Sequence, residues 1–338
     1  MDSTRPREEE EVESAIAAPS KVIPKISAII VTYRSTSELP GCIESVLRQA
    51  VPVEVFVVDN ASPDHTPEMI AGFGERYDNV YPILNTENIG LAAGNNCPIG
   101  RCQGDYVLIL NPDTVLPDDS LSQMAKFLDE NPDVGVLGPQ NVYENGTRHT
   151  SFHRNWGLLS VLAWRVLPNR IPRFFWDRFS SYKLQDVLFV SGSCLLIRRR
   201  IYEQIGGYDP EYFLTVEDVA DLCIRARNTG SRVVFFPDVT IVHFTGRSGA
   251  QIPYIGIWQG NRGTVYHFLK HKGAVQAFLV LSMILISVAV RILVAATLSV
   301  FKKQYRAVCG IYARVFWNLL VRNPIWSREF HPSRGSTA

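Results

Sequence analysis

The feature that most constrains the fold is a regular alternation of short apolar runs with segments of helical periodicity. The apolar runs are ISAIIV at 26–31, VEVFVV at 53–58, NVYPIL at 79–84 and YVLIL at 106–110. The segments 39–47, 64–77, 89–103 and 120–130 are predicted to be helices, because apolar residues recur in them at helical spacing. Strands that alternate with helices over this length predict an α/β domain with a doubly wound, mostly parallel sheet.

The composition divides the 338-residue chain into three zones. Residues 1–24 are highly charged and poor in apolar side chains, which predicts a disordered tail and not a signal peptide. Residues 25–250 contain the strand and helix pattern and are predicted to form the folded domain. Residues 251–338 begin basic and aromatic and become very apolar, which predicts a helical region that associates with a membrane.

The net charge and the cysteines limit the partners and the cellular compartment that can be expected. A formal net charge of +1 gives no reason to expect a nucleic acid partner. The six cysteines form no C-x-x-C pair and show no metal-finger spacing. Because unpaired cysteines are usual in a reducing compartment, we expect the domain to face the cytoplasm.

Each of the first four predicted strands runs directly into polar residues. The candidates at these four ends are Thr32 and Tyr33, Asp59 and Asn60, Asn88 and Gly90, and Asn111 and Asp113. Turn chemistry explains any one of these ends, since such residues are common turn formers. Ligands of open α/β sheets, however, bind beyond the carboxyl ends of the strands, so four polar ends in succession predict a binding site.

The class of ligand is narrowed by the motifs that the sequence lacks. No G-x-G-x-x-G follows the first strand, and no G-x-x-x-x-G-K-[ST] occurs anywhere. A site without a glycine-rich phosphate loop can still hold a diphosphate through a divalent cation. Mg²⁺ needs only one or two carboxylates besides phosphate oxygens and water, and Asp113 on its proline-stiffened turn suits that role.

The second half of the chain adds further candidates. Glu217 and Asp218 lie near the start of a predicted helix, where acidic residues are also favourable for the helix dipole alone. His243 ends the second of two short strands predicted within 232–248, and Arg247 follows it. A lone histidine is often structural, but this one follows a strand close to the suspected metal site.

Seven motifs in order carry a resemblance to a known family. They are ISAIIVTYRS, VEVFVVDNASPD, NTENIGLAAGNN, LILNPDT, FVSGSCLLIRR, GGYDPEYFLTVEDVADLC and VHFTGRS, between residue 26 and about residue 250. This series resembles the family 2 glycosyltransferases, and within them the rhamnosyltransferase-like branch. The resemblance implies a GT-A fold and an inverting transfer of a sugar from a nucleoside diphosphate, with Mg²⁺ or Mn²⁺ as cofactor.

The resemblance also implies roles for individual residues. The implied nucleotide-sugar site consists of Thr32, Tyr33, Asp59, Asn60, Asn88, Gly90, Asn111 and Arg247. Asp113 matches the last Asp of the D-x-D metal motif, and His243 matches a histidine that can join the metal. Glu217 and Asp218 match the catalytic ED motif, in which the Asp is the base.

The chain departs from the family pattern at two places. Asn111 replaces the first Asp of D-x-D, which leaves Asp113 as the one certain carboxylate. The motif E-D-V-D-L-C carries an extra residue after Val219, and on a helix this rotates everything beyond it by about 100° and puts the role of Asp221 in doubt. Residues 259–262 resemble the Q-x-x-R of processive synthases, but Gly263 stands where their Trp would be.

The C-terminal zone contains an apolar segment long enough to span a bilayer. In 277–301, 20 of 25 side chains are apolar, although Arg291 near a membrane centre would cost about 2.5–3.5 kcal/mol. Basic residues flank both ends, which favours two ends on the cytoplasmic face and a helix pair in the inner leaflet. One full span and a buried oligomerisation helix remain open. Residues 312–326 fit an interfacial amphipathic helix.

The leading hypothesis is a metal-dependent sugar transferase of the cell membrane. Its acceptor would be lipid-linked or a cell-surface glycan, and the transferred sugar a rhamnose-like or other hexose. A nucleotidyltransferase would require a glycine-rich, lysine-bearing loop after the first strand, and VTYRSTSELP has neither residue. A catalytically impaired membrane-bound glycan- or nucleotide-binding protein stays open because of Asn111 and the insertion after Val219.

Overall fold

A computed structural model of the chain describes residues 25–166, 182–244 and 253–325. The predicted tail at 1–24 and the candidate Arg247 lie outside the described residues.

The first half of the domain is a parallel strand–helix alternation. Its elements are β1 (Ile26–Thr32), α1 (Leu39–Leu47), β2 (Val53–Asp59), α2 (Thr66–Arg76), β3 (Val80–Leu84), α3 (Leu91–Asn96) and β4 (Tyr106–Leu110). The strands pair in the order β3-β2-β1-β4, and all of these pairings are parallel. Every residue of β1, β2 and β4 is buried, because helices cover both faces of a doubly wound sheet. The predicted strands and the parallel order of this half are confirmed.

The second half of the domain makes the sheet mixed. Its elements are β5 (Thr114–Val115), α4 (Ser120–Glu130), β6 (Val134–Val142), β7 (Phe152–His153), α5 (Leu158–Val166), β8 (Gln185–Asp186), β9 (Phe189–Val190), β10 (Cys194–Arg198), α6 (Arg199–Gln204), α7 (Glu217–Asn228) and β11 (Arg232–His243). The sheet continues from β4 in the order β10-β6-β11-β5, with β10 antiparallel to both of its neighbours. The sheet is therefore parallel in its first half and mixed beyond β4.

One continuous strand replaces the two short strands predicted between 232 and 248. β11 pairs with β6 on both sides of an irregularity between Phe236 and Thr240. Pro237 lies within this irregularity, and proline cannot donate a ladder hydrogen bond. The strand continues past the bulge and ends at His243, so the bulge interrupts the pattern without ending the strand.

Three helices follow the sheet domain. They are α8 (Pro253–Lys272), α9 (Ala274–Phe301) and α10 (Gln304–Val321). α9 packs against α8, α10 and α5, and its inner stripe, which includes Ala277, Val280, Leu281 and Ile284, belongs to the same core as the sheet. Within the described ranges, α9 is the one helix long and apolar enough to cross a membrane, with a mean hydropathy of 2.7.

Candidate functional site

Two adjoining cavities open where the carboxyl ends of the central strands meet. The smaller cavity has a volume of about 320 Å³ and the larger one about 680 Å³. Their common wall consists of Leu91, Asn111, Leu214, His243 and Gly256. A molecule in one cavity would therefore lie next to a molecule in the other.

The smaller cavity gathers most of the residues expected to bind the nucleotide sugar. Its lining includes Thr32, Tyr33, Asn60, Asn88, Gly90, Asn111 and Asp113. The parallel register places Thr32 opposite Asp59, and the Asn60 amide N–H donates to the Thr32 carbonyl at 3.0 Å. Parallel pairing thus brings residues that are distant in the sequence to one edge of the sheet.

Gly90 is fixed at this wall by two asparagines. The Asn60 side-chain amide donates to the Gly90 carbonyl at 3.0 Å, and the Asn88 side-chain oxygen accepts from the Gly90 N–H at 3.0 Å. Gly90 has a φ of +87°, and a Cβ there would lie 2.7 Å from the Phe213 carbonyl oxygen. Only glycine fits here, because φ is positive and the backbone of Phe213 leaves no room for a side chain.

Two buried oxygens near the smaller cavity have no hydrogen-bond partner among the described residues. They are Thr32 Oγ1 and Asp59 Oδ1. Asp59 does not line the cavity itself; it lies behind it, where its other oxygen accepts from the Ser62 N–H at 2.9 Å. Because unpaired buried polar atoms are unfavourable, these oxygens are candidates for contacts with a bound molecule.

The candidate metal centre is formed by Asp113 and His243. Pairing of β5 with β11 places His243 opposite Thr114, and His243 Nε2 lies 3.2 Å from Asp113 Oδ1. Both side chains are largely buried. Within the described ranges, no group of three or more His, Cys, Asp and Glu residues could hold a metal. Two protein ligands still fit a cation that takes its other ligands from phosphate oxygens and water.

Asp218 lines the larger cavity at the start of α7. It is 3% exposed, one oxygen accepts from the Val219 N–H, and Oδ2 has no hydrogen-bond partner among the described residues. Burial raises the pKa of Asp218 to about 8; the Val219 N–H opposes this shift, and the charges of Glu217 and Asp221 add to it. A carboxylate with such a raised pKa next to a cavity has the properties of a general base.

Glu217 also borders the larger cavity but is held by two threonines. Its Oε1 accepts from the Thr264 hydroxyl at 2.6 Å, and its Oε2 accepts from the Thr215 hydroxyl. A Cβ at Gly263 would lie only 2.7 Å from the Thr215 side chain, so a Trp at this position, as in processive synthases, would displace Thr215. No local pattern in the sequence marked Thr264 as a partner of Glu217.

Asp221 lies outside both cavities. Its carboxylate is paired with Arg225, Lys270 and His271, each at 2.7 Å. Burial alone would raise the pKa of Asp221, but the His271 hydrogen bond and the charges of Arg225 and Lys270 hold it well below its usual range. The extra residue in the motif therefore places this carboxylate against the end of α8.

The larger cavity has an aromatic wall that the sequence did not predict. Trp156, His153 and Phe189 line it, with His153 stacked on Phe189 at 4.6 Å and on the edge of Trp156 at 5.1 Å. Burial lowers the pKa of His153 to about 4, assisted by the charge of His149, so the ring is neutral at pH 7. Residues 152 and 153 reach this wall through the pairing of β7 with β9, a long-range contact without a local signal.

Comparisons with known proteins agree on one class. Residues 27–206 match the model of Glycosyl transferase family 2. The chain is 29% identical over 267 residues to an N-acetylglucosaminyl-diphospho-decaprenol L-rhamnosyltransferase of Mycobacterium tuberculosis, covering 73% of this chain and 85% of that protein. It is 24% identical over 229 residues to the low-salt glycan biosynthesis hexosyltransferase Agl10 of Haloferax volcanii, covering 64% and 66%.

A solved structure is similar over nearly the whole chain. It is the mannosyltransferase PcManGT from Pyrobaculum calidifontis in complex with GDP-Man and Mn²⁺. The TM-score is 0.56 at 20% identity, and the match covers 91% of this chain and 89% of that one.

Proposed function

The chain belongs to the family 2 glycosyltransferases and has their GT-A fold, and from this premise we propose that it is a metal-dependent, inverting enzyme. It would move a rhamnose-like or other hexose from a nucleoside diphosphate to a lipid-linked acceptor at the membrane. The observation that carries this proposal is the common wall of the two cavities. His243 belongs to this wall, its neighbour Asp113 lines only the smaller cavity, and Asp218, whose Oδ2 has no partner among the described residues, lines only the larger one.

The smaller cavity is the proposed donor site. Tyr33, Asn60 and Asn88 would contact the nucleoside, and Thr32 Oγ1 supplies a buried oxygen without a partner in the described part of the chain. Asp59, which does not line this cavity, remains a proposed base or ribose contact from its match to the family motif alone. Arg247 remains a proposed diphosphate contact from its place in the sequence alone.

Asp113 and His243 would hold a divalent cation at the diphosphate end of this cavity. A carboxylate oxygen and an imidazole nitrogen 3.2 Å apart are donors that Mn²⁺ accepts readily. When bound, the cation would neutralise the charge that develops on the departing nucleoside diphosphate. The Phe244 N–H fixes the backbone of Asp113 by donating to its carbonyl at 2.9 Å, which orients the carboxylate.

Asp218 is the proposed general base. Inversion by direct displacement requires one group on the acceptor side that takes the hydroxyl proton, and no protein nucleophile is needed. Asp218 lines the larger cavity, and its buried Oδ2 has no partner among the described residues, so this oxygen is the one left to accept that proton. Both oxygens of Asp221 are paired with cations, which leaves that carboxylate unsuited to the role.

Glu217 is proposed to act on the reaction through Asp218. Its two oxygens are engaged by Thr264 and Thr215, so it cannot reach an acceptor without losing these bonds. Its negative charge contributes to the raised pKa of Asp218. We therefore propose that Glu217 raises the pKa of Asp218 and helps to position it, and that Glu217 does not itself transfer a proton.

The membrane supplies the acceptor in this proposal. The rhamnosyltransferase of Mycobacterium tuberculosis acts, by its name, on a decaprenol-linked sugar, and α9 could anchor this chain beside such a lipid. The domain would face the cytoplasm, with α9 and α10 held at the inner leaflet. Their packing as neighbouring helices supports a pair over a single isolated helix.

A donor panel tests the proposed function directly. Purified full-length protein is incubated with Mn²⁺, a series of sugar nucleotides and N-acetylglucosaminyl-diphospho-decaprenol in detergent. We expect release of nucleoside diphosphate with one donor that depends on both the acceptor and the metal. Binding of a sugar nucleotide without turnover on any acceptor would instead support an impaired binding protein.

The pH dependence of transfer provides a first prediction. Asp218 must be ionised to accept a proton, so kcat/KM should rise with pH through an apparent pKa near 8 in the free enzyme. Glu217→Gln removes a neighbouring negative charge and should move this midpoint to lower pH. Steady-state rates between about pH 5.5 and 10 measure the midpoint of the wild type and that of Glu217→Gln. This interval extends about two units to either side of the expected midpoint. A midpoint that is unchanged in Glu217→Gln would contradict the electrostatic role of Glu217.

Membrane attachment provides a second prediction. Replacing the exposed apolar side chains of α9 at Ile286, Val290, Leu293 and Val294 by Ser should release the protein from anionic vesicles at high salt. Each replaced side chain loses about 1.5–3 kcal/mol of burial in lipid, while the inner stripe of α9 is untouched. Sedimentation with vesicles gives the measurement, and a nucleoside diphosphate titration checks the fold.

Leu84→Ser is the matched control for that experiment. Leu84 is an exposed apolar residue on the edge strand β3, so its replacement should leave sedimentation unchanged. Full retention of the α9 variant in the pellet would place the anchor in another part of the chain. Deleting 270–338 would be less informative, because it also removes the Lys270 and His271 contacts to Asp221.

A further inference from the structure

The short helix α5 presents apolar side chains on two opposite faces. Val161 is 1% exposed and lines the larger cavity beside the Trp156 wall. On the other face, Leu159 is 82% exposed and Leu162 is 40% exposed. A helix at the surface of a soluble domain normally turns polar residues outward, so this outer face requires another explanation.

The position of α5 connects the larger cavity with the apolar helix α9. α5 packs directly against α9, whose composition suits a membrane. Its nine residues span about 13 Å at 1.5 Å per residue. One short helix therefore contacts both the cavity that Asp218 lines and the candidate membrane helix, and it leaves Leu159 and Leu162 exposed beside them.

The rim of the larger cavity continues this apolar character. Leu214 and Val216 line the cavity and are 38% and 53% exposed. They lie just before α7, so they frame the approach to Asp218 from the loop side. Apolar residues at the entrance of a cavity that must admit a hydroxyl group indicate that the acceptor brings an apolar portion with it.

We infer that α5 is the surface along which the polyisoprenyl chain of a lipid-linked acceptor enters the larger cavity, an inference that rests on the proposed function. The isoprene units nearest the diphosphate would contact Leu159 and Leu162, and the sugar at the other end of the diphosphate would lie against Trp156 and His153 with its hydroxyl towards Asp218. A soluble glycan would gain nothing from contact with the exposed leucines. An isoprenoid chain would bind them favourably, because each contact removes apolar surface from water.

Photocrosslinking tests this path without requiring sugar transfer. Full-length protein in detergent micelles is irradiated with a polyisoprenyl diphosphate that carries a diazirine on the isoprene nearest the diphosphate. We expect labelling within 158–163, and a loss of about tenfold or more in the double variant Leu159→Gln, Leu162→Gln, because both substitutions remove apolar contact with the isoprenoid; tenfold corresponds to about 1.4 kcal/mol. Labelling of α9 should persist in every variant and is the internal control.

Two further measurements separate the possible outcomes. Leu84→Gln, an equivalent change of an exposed leucine on β3, should leave the labelling of α5 unchanged. Absence of label on α5, or label that the double variant does not reduce, would overturn the inference and leave the leucines in contact with bulk lipid only. Release of nucleoside diphosphate in the donor panel is scored separately, so failure of the path and failure of the transferase assignment are distinguishable.

Discussion

Replacing Asp218 by Asn is expected to lower the rate of sugar transfer by about 10²–10⁴-fold, the usual contribution of a general base. Asn has almost the same size and can still accept from the Val219 N–H, so the start of α7 is preserved. It cannot take a proton from the acceptor hydroxyl. Because Asp218 borders the cavity opposite the donor site, the affinity for nucleoside diphosphate should change little.

Initial rates with a saturating donor, together with a donor titration, measure this effect. The rise of kcat/KM near pH 8 should also disappear in Asp218→Asn, since the titrating group has been removed. Loss of donor affinity in parallel with rate would point to a structural role. A normal rate in Asp218→Asn would remove this residue from the mechanism.

Asp221→Asn is the matched control, because it makes the same change three residues later on the same helix. The buried Asp221 carboxylate binds Arg225, Lys270 and His271, so its loss leaves these three side chains without one of their partners. We expect a lower melting temperature with much of the rate per folded molecule retained. Stability with total loss of rate would reverse the assignment and make Asp221 the base.

Part of this architecture could be predicted from local sequence. The strands β1, β2 and β4 were predictable because a strand buried on both faces requires a nearly continuous apolar run. The smaller cavity followed from the same pattern, since parallel strands end at one edge and Thr32, Asn60, Asn88 and Asn111 each follow a strand. Local pattern and parallel topology were sufficient for the proposed donor side.

The larger cavity depends on contacts that no local pattern encodes. β10 returns antiparallel between β4 and β6, and an apolar run of five residues does not indicate strand direction. His153 reaches the cavity through pairing of β7 with β9, and Thr264 reaches Glu217 from a helix 47 residues further along the chain. The proposed acceptor side was therefore the part that required the three-dimensional structure.

Replacing Asp113 by Asn is the second change for which we expect a large effect. The variant keeps the turn after β4 and the hydrogen bond from the Phe244 N–H to the residue 113 carbonyl, so the fold should persist. It loses the one carboxylate at the proposed metal centre, because position 111 is already Asn. Metal-dependent affinity for nucleoside diphosphate should fall by at least the 10–100-fold that loss of an outer-shell metal partner typically causes.

Calorimetric titration of nucleoside diphosphate with and without Mn²⁺ isolates the metal contribution. In the wild type the metal should strengthen binding strongly, whereas in Asp113→Asn the two titrations should nearly coincide. Asp118→Asn removes an exposed carboxylate from the same connection and should keep the wild-type difference. His243→Ala should reduce the difference as well, because Nε2 lies 3.2 Å from Asp113 and would contribute the second ligand. An unchanged metal effect in Asp113→Asn would show that the cation binds elsewhere. Asp113 and His243 would then have no metal-binding role beside the wall that the two cavities share.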